Sequence, residues 1–178
     1  TTTGNVTVVS NNFAINSALN AKNVTLRADS VTDTIGVGSG AGTFSVTDLE
    51  LDRINASGIV TIGDATNTGG ININGLSQDE PLTFVTGGDI VINNVITTIS
   101  NSLTFTGNVV LGNNVSIDTT NAGAAAGANV TFNNALNGTT DYAQNLTLTA
   151  GNGNIFFNAA VGSGKKLGTL LINSANNV

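Results

Sequence analysis

Seven asparagines recur in this chain at positions 16, 55, 74, 93, 113, 133 and 173, at intervals of 39, 19, 19, 20, 20 and 40 residues. Most follow an apolar residue and precede a small one, as in Ile15-Asn16-Ser17, Ile54-Asn55-Ala56, Ile73-Asn74-Gly75 and Ile172-Asn173-Ser174. The two long intervals are double beats of one period, close to 20. A second series places a hydroxyl between two apolar residues and is centred on Thr7, Thr25, Ser45, Thr61, Thr83, Thr104 and Thr147. Its intervals are 18, 20, 16, 22, 21 and 43. A looser third series comprises Leu19, Val37, Ile59, Leu76, Ile96, Ile117 and Leu136. Each repeat thus carries three short apolar segments. A unit this small cannot bury its own apolar face and must stack on its neighbours, which is the logic of a solenoid.

Alternation with period 2 over three to five residues marks strands, and no 3.6-residue stripe persists for two turns. Three strands in about 20 residues leave no room for the dozen or more residues of a helical crossover. The expectation is therefore an all-β, single-stranded parallel β-helix with three short strands per coil. Each strand then pairs with its equivalent one coil later, about 4.8 Å along the axis. About nine coils fit the length, giving a rod on the order of 43 Å. The asparagine series suits a corner, because Asn tolerates the left-handed backbone of a sharp bend and its amides can bond up and down a stack. Asn16, Asn55, Asn74, Asn93, Asn113, Asn133 and Asn173 are the expected corner ladder. Thr7, Thr25, Ser45, Thr61, Thr83, Thr104 and Thr147 are the expected outward hydroxyl rank.

Composition excludes other classes. Asn, Thr, Gly and Ser number 28, 26, 22 and 12 of the 178 residues, yet Val, Ile and Leu supply 45 more, so the chain is too rich in β-branched residues and too poor in charge to be disordered. Only Lys22, Arg27, Arg53, Lys165 and Lys166 are basic, and the net charge of −6 argues against a nucleic-acid partner. Without Cys or His there is no disulfide framework, no thiolate metal site and no histidine base, and no cofactor is expected. No apolar run approaches the 18 residues of a membrane span. The sequence opens on Thr-Thr-Thr and stops inside a repeat. Residues 1–178 are accordingly expected to be one solenoid segment of a longer repetitive protein, whose nearest partners are adjacent coils of the same polypeptide.

With its 19- to 20-residue coils, Asn corners and charge-poor Gly/Asn/Thr composition, the chain resembles the repeat shaft of filamentous-haemagglutinin-type bacterial exoproteins. The similarity is clearest in the segment running from Leu146 through Thr147, Leu148, Asn152, Gly153, Asn154, Ile155, Phe156 and Phe157 to Val161, and again from Leu167 to Ala175. The resemblance, to a family exported by two-partner secretion, implies a right-handed β-helix, bacterial export and a place outside the cell or on the bacterial surface. It also implies a non-enzymatic part in attachment and virulence, with a receptor or glycan on a host or neighbouring cell as partner. The Asn-Pro-Asn pattern of that family's amino-terminal secretion domain does not occur in this sequence.

Two other readings stay open on the residues alone: a polysaccharide-active β-helix enzyme and a glycan-binding solenoid module. Asp48, Glu50 and Asp52 alternate with Leu49 and Leu51. On a strand they would line one outer face about 6.6 to 6.8 Å apart, a spacing that suits an inverting carboxylate pair or, with added carbonyls, Ca²⁺. The simpler expectation is a solvated row, since no histidine and no aromatic sugar platform accompany it and Tyr142 is the one tyrosine. Gly87-Gly88-Asp89 is a single imperfect copy of a calcium-repeat pattern. A second Thr rank, which an ice-binding face needs, fails at Val9, Arg27, Gly63 and Val85. Seven Asn-x-Ser/Thr sequons, at Asn5, Asn23, Asn55, Asn114, Asn129, Asn137 and Asn145, follow largely from the repeat itself.

Overall fold

The computed structural model describes residues 4–178. Strands take up 47% of the chain and helix 2%, and all strand pairs are parallel apart from an isolated bridge, so the molecule is nearly all β, in curled parallel sheets. The strands fall into three ranks. The first contains β1 (Val6–Val9), β3 (Val24–Arg27), β7 (Val60–Asp64), the leading part of β10 (Leu82–Ile92) and of β12 (Leu103–Leu111), β14 (Val130–Phe132) and β17 (Ile155–Phe157). The second runs β5 (Phe44–Val46), β4 (Ile35–Gly38), β8 (Ile71–Asn74), the trailing parts of β10 and β12, and β15 (Leu136–Gly138). The third holds β9 (Leu76–Gln78), β11 (Ile96–Thr98), β13 (Val115–Asp118), β16 (Leu146–Thr149) and β18 (Leu170–Ser174), with a separate pair, β2 (Leu19–Ala21) and β6 (Ile54–Ala56). β10 and β12 pass unbroken through the bend between the first two ranks, so those ranks form one sheet.

Register makes the core a set of columns. Val8, Leu26, Ile62, Phe84, Phe105, Phe132 and Phe157 stand opposite one another in turn along the first rank. The last four rings stack with centroids 5.5, 5.2 and 5.4 Å apart and interplanar angles of 14°, 12° and 6°. That spacing is the inter-strand distance plus a small offset, which suits the ring quadrupoles. Alternate residues of these strands face out, and β10 and β12 show it as a strict buried, half-buried alternation at Leu82–Val85 and Leu103–Thr106.

First-rank steps are not uniform. Val6, Val24, Val60, Leu82, Leu103, Val130 and Ile155 are successive partners, 18, 36, 22, 21, 27 and 25 residues apart. The rank therefore passes through seven strands among the described residues, whereas a constant 20-residue period leads to about nine coils. Two insertions account for the difference.

The first insertion is a reversal. β5 follows β4 in sequence yet pairs with it in parallel, Ile35 opposite Phe44, on the side away from β8. Only residues 39–43 join them, far fewer than a parallel connection normally takes. The loop achieves this by lying flat on the outer face of the sheet. A Cβ on Gly36 would collide with the Gly40 carbonyl, and one on Gly40 with the Asn72 carbonyl, so both positions require glycine. Phe44 is thereby brought beside Phe13, 6.0 Å away. The second insertion, residues 119–129, turns on Asp118. Its Oδ1 accepts from the Thr120 N–H and Oγ at 2.7 Å each and its Oδ2 from the Ala122 N–H at 2.9 Å. Asn121 and Ala122 adopt left-handed φ of 50° and 56° there.

After the reversal comes the one helix of the described residues, α1 (Asp48–Leu51). This corrects the expectation of a strand carrying Asp48, Glu50 and Asp52 on one outer face. Thr47 caps the helix: its Oγ accepts from the Glu50 N–H while the Glu50 carboxylate accepts from the Thr47 N–H at 2.9 Å. Thr-x-x-Glu is the capping-box pattern, and it overrides the period-2 alternation of this stretch. Leu51 is buried but Leu49 is 61% exposed, as a helical turn dictates and a strand would not.

Candidate functional site

The outward hydroxyls form a real rank over most of its length. Thr7, Thr25, Thr61, Thr83 and Thr104 stand in direct register, and the next member is Thr131. Ser45 and Thr147 lie elsewhere. Ser45 sits on β5 opposite Gly36, and Thr147 on β16 between Ser116 and Leu171. The reversal displaces the first, and the insertion at residues 119–129 shifts the second from the first rank to the third. The third apolar series divides likewise: Leu76, Ile96 and Ile117 are in register, Val37 and Leu136 belong to the second rank, and Ile59 is exposed.

The seven expected corner asparagines do not make one ladder. Asn16 is exposed in a loop, and Asn55 stands opposite Asn20. Asn74 lies beside Gly38, its carbonyl accepting from Ser39 N–H and Oγ at 3.0 and 2.8 Å. Asn93 Nδ2 donates to Asn72 Oδ1 at 2.6 Å, and Asn113 Nδ2 to the Asn93 carbonyl at 3.2 Å. Asn133 Nδ2 donates instead to Thr106 Oγ1 at 3.0 Å and its Oδ1 accepts from Asn158 Nδ2 at 2.9 Å. Asn173 Nδ2 reaches Thr149 Oγ1 at 3.3 Å. Short ladders thus replace a single long one, because each insertion offsets the corner by a few residues.

Other asparagines hold corners that the 20-residue spacing does not single out. Asn67 is 2% exposed. Its amide donates to the Asp33 carbonyl at 2.8 Å and accepts from the Gly70 N–H at 3.0 Å, and its carbonyl takes the Thr86 hydroxyl at 2.8 Å. Among the sequons, the Asn114, Asn129 and Asn137 side chains accept backbone N–H groups of the following coil, and Asn23 both donates to Asn5 and accepts from Ile59. These amides serve the stack.

Several concavities mark the surface of the described residues, and two of them are lined by carboxylates. The larger, a groove of about 520 Å³, is lined by Thr34, Thr68, Asn72, Asp89, Val91 and Asn93 over a floor of Gly69, Gly70 and Ile71. It lies where β8 and β10 leave the bend, and the linked Asn72 and Asn93 amides form one wall. Short hydroxyl, amide and carboxylate groups converge on it. The smaller, about 310 Å³, is lined by Asp48, Asp52, Ser77, Gln78, Asp79 and Ile99. There α1 covers the edge of β9, where the third rank is interrupted. Asp48 Oδ1 accepts the Ser77 N–H at 2.9 Å in place of a neighbouring strand's carbonyl. Glu80 does the same for Ala56 N–H at 3.2 Å.

Glu50 faces away from this cavity. Burial pushes its carboxyl up, but the Thr47 N–H and hydroxyl, the Ile15 N–H and the charge of Arg53 together hold it below the usual glutamate value. Arg53 in turn donates to the Ile15 carbonyl at 2.9 Å. Three carboxylates at mutually facing positions, as an acid–base pair or metal triad needs, are therefore not what this stretch provides. Among the described residues no three Asp, Glu, His or Cys side chains converge as metal ligands. Among the described residues no helix is long and apolar enough to cross a membrane. Comparison of the chain with family models, with curated proteins and with solved structures finds no match.

Proposed function

We propose that the chain is a single right-handed parallel β-solenoid, one coil for each strand of the first rank, and that it works as the shaft of a secreted or cell-surface bacterial adhesin of filamentous-haemagglutinin type, exported by two-partner secretion. The observation that carries this reading is the strand-on-strand register along the first rank, with its continuous apolar and aromatic column inside and a Thr rank outside. Such a column resists bending and shear, because separating two coils breaks a whole rank of backbone bonds at once. The function is mechanical: it holds a binding surface away from the cell. The groove at Asn72, Asp89 and Asn93 is the surface best furnished to touch a ligand, and its amides, hydroxyls and carboxylate match the hydroxyls of a cell-surface glycan. The protein is not an enzyme on this reading, since Glu50 is committed to capping α1 and Asp48 to the β9 edge.

Beads coated with the folded chain should adhere to epithelial or bacterial cells more than beads coated with heat-unfolded chain, and Asp89→Asn with Asn93→Ala should reduce adhesion. Equal adhesion by folded and unfolded coats would overturn the adhesive reading. Equal adhesion by wild type and variant would overturn the groove as the contact.

A further inference from the structure

In the groove where β8 and β10 leave the bend, the hydrogens are spent and the oxygens are not. Each hydroxyl has one proton to give: Thr34 Oγ1 donates it to the Gly69 carbonyl at 3.3 Å and Thr68 Oγ1 to the Val31 carbonyl at 3.1 Å. Floor amides are engaged as well, the Gly69 N–H with the Val31 carbonyl at 3.3 Å and the Gly70 N–H with Asn67 Oδ1 at 3.0 Å. Asn93 Nδ2 gives one hydrogen to Asn72 Oδ1 at 2.6 Å, and Asn72 Nδ2 gives one to the Ala41 carbonyl at 3.3 Å. What remains is the second hydrogen of each amide, against acceptor capacity on both hydroxyls, on Asn93 Oδ1 and on Asp89. The Asp89 carboxylate is exposed and accepts no hydrogen bond among the described residues, whose two ion pairs are Arg27–Asp64 and Lys165–Asp141.

Charge points the same way. The groove is lined by Asp89 and by no basic residue, and residues 29–89, which build most of its walls, hold nine of the 11 acidic residues but only Arg53 of the five basic ones. The sulfate or carboxylate of an acidic glycan brings acceptors and negative charge to a place that lacks donors and cations. An ammonium is the complement, with one positive charge and three N–H donors. Resting on the reading in which this groove touches a cell-surface glycan, we propose that it selects amino sugars whose amine is free and protonated. The ammonium pairs with Asp89, and the sugar's hydroxyls donate to Asn93 Oδ1 and the threonine oxygens. Half-buried Val91, beside the Gly69–Gly70 floor, gives the C–H face of a pyranose an apolar seat. A lysine side chain carries its ammonium on a flexible stem, whereas an amino sugar presents amine and hydroxyl donors from one rigid ring, which favours the sugar.

Calorimetric titration of the folded chain at low salt with a glucosamine oligomer, its N-acetylated counterpart of equal length and a heparin fragment tests the selection. The amine-bearing oligomer should bind about tenfold or more tightly than the acetylated one, the worth of a hydrogen bond to a charged group, and the heparin fragment should bind weakest. Asp89→Asn, whose carboxylate bonds to nothing in the fold, should erase the preference for the amine. Asp141→Asn, on a loop of a later coil, removes the same charge and should keep it. Glycan binding with no preference for the amine, or a preference that survives Asp89→Asn, would overturn this inference while leaving the groove a glycan contact. Absence of binding by all three sugars would overturn the glycan reading together with it. A lysine oligomer that binds as tightly as the glucosamine oligomer, with the same loss in Asp89→Asn, would assign the groove to a basic peptide instead.

Discussion

Phe105 is the centre of the aromatic column and the most informative residue to remove. Its ring is fully buried, with Phe84 at 5.5 Å on one side and Phe132 at 5.2 Å on the other. A buried phenylalanine hides about 150–250 Å², which at about 25 cal/mol/Å² corresponds to about 4–6 kcal/mol before any relaxation. Phe→Ala substitutions in cores cost about 3–5 kcal/mol, and because both flanking rings are left without a stacking partner, Phe105→Ala belongs in the upper part of that range. Phe157 stands at the end of the same column with one ring neighbour, 5.4 Å away, and is half-buried, so Phe157→Ala should cost about half as much or less. In a stack whose stability is a sum of nearest-neighbour terms, the damage should also be local. Hydrogen exchange should speed most at Phe84 and Phe132 and little at Val8 and Leu26. Equal destabilisation by the two substitutions in urea melts, or exchange that quickens uniformly along the chain, would refute the columnar account.

Asn93→Ala removes the bond to Asn72 but leaves Asn113 bonded to the Asn93 backbone carbonyl. It should therefore cost about 0.5–1.5 kcal/mol, while Asn67→Ala, which strips a buried hub, should cost about 1–3 kcal/mol or more; equal urea midpoints would contradict this. Stability should fall in acid. Thr66 hydrogen bonds chiefly hold the Asp64 carboxyl low. At Asp118 burial is outweighed by the bonds from Thr120 and Ala122, so the stabilisation from both is full above their ordinary 3.8 and is lost as pH drops through their lower folded values. Glu80 has the opposite sign: burial first, then the charge of Asp79, raises it above 4.5 against the Ala56 N–H, so stability declines as pH rises through that window. Glu80→Gln should abolish the decline in melts between pH 4 and 7. Incubation with pectin-like polysaccharides should release no reducing or unsaturated ends; release that disappears in Asp48→Asn and Asp52→Asn would support the enzyme reading instead.

Local pattern was enough to establish that the chain is made of short strands stacked in parallel. Period-2 alternation recurring about every 20 residues leaves no other burial for so many apolar triplets, and Thr7, Thr25, Thr61, Thr83 and Thr104 share a register, although Ser45, which the spacing puts between Thr25 and Thr61, lies opposite Gly36 instead. Its corners were legible only in type. Asn is abundant enough to supply a corner at several positions, and which one sits on the stack depends on the accumulated length of what comes before. Asn93 therefore meets Asn72 and not Asn74, and Asn133 meets Thr106. The reversal of β5 across Gly36 and Gly40 was settled by tertiary packing, because a five-residue parallel connection exists only where another strand's outer face can receive it. Packing also settled the fate of residues 48–52. Alternating charge and leucine suits a strand in isolation, but the edge of β9 had lost its neighbour, and a capped helical turn whose carboxylate accepts the Ser77 N–H satisfies that edge. Contacts between coils separated by tens of residues make that choice, and no short stretch of sequence contains them.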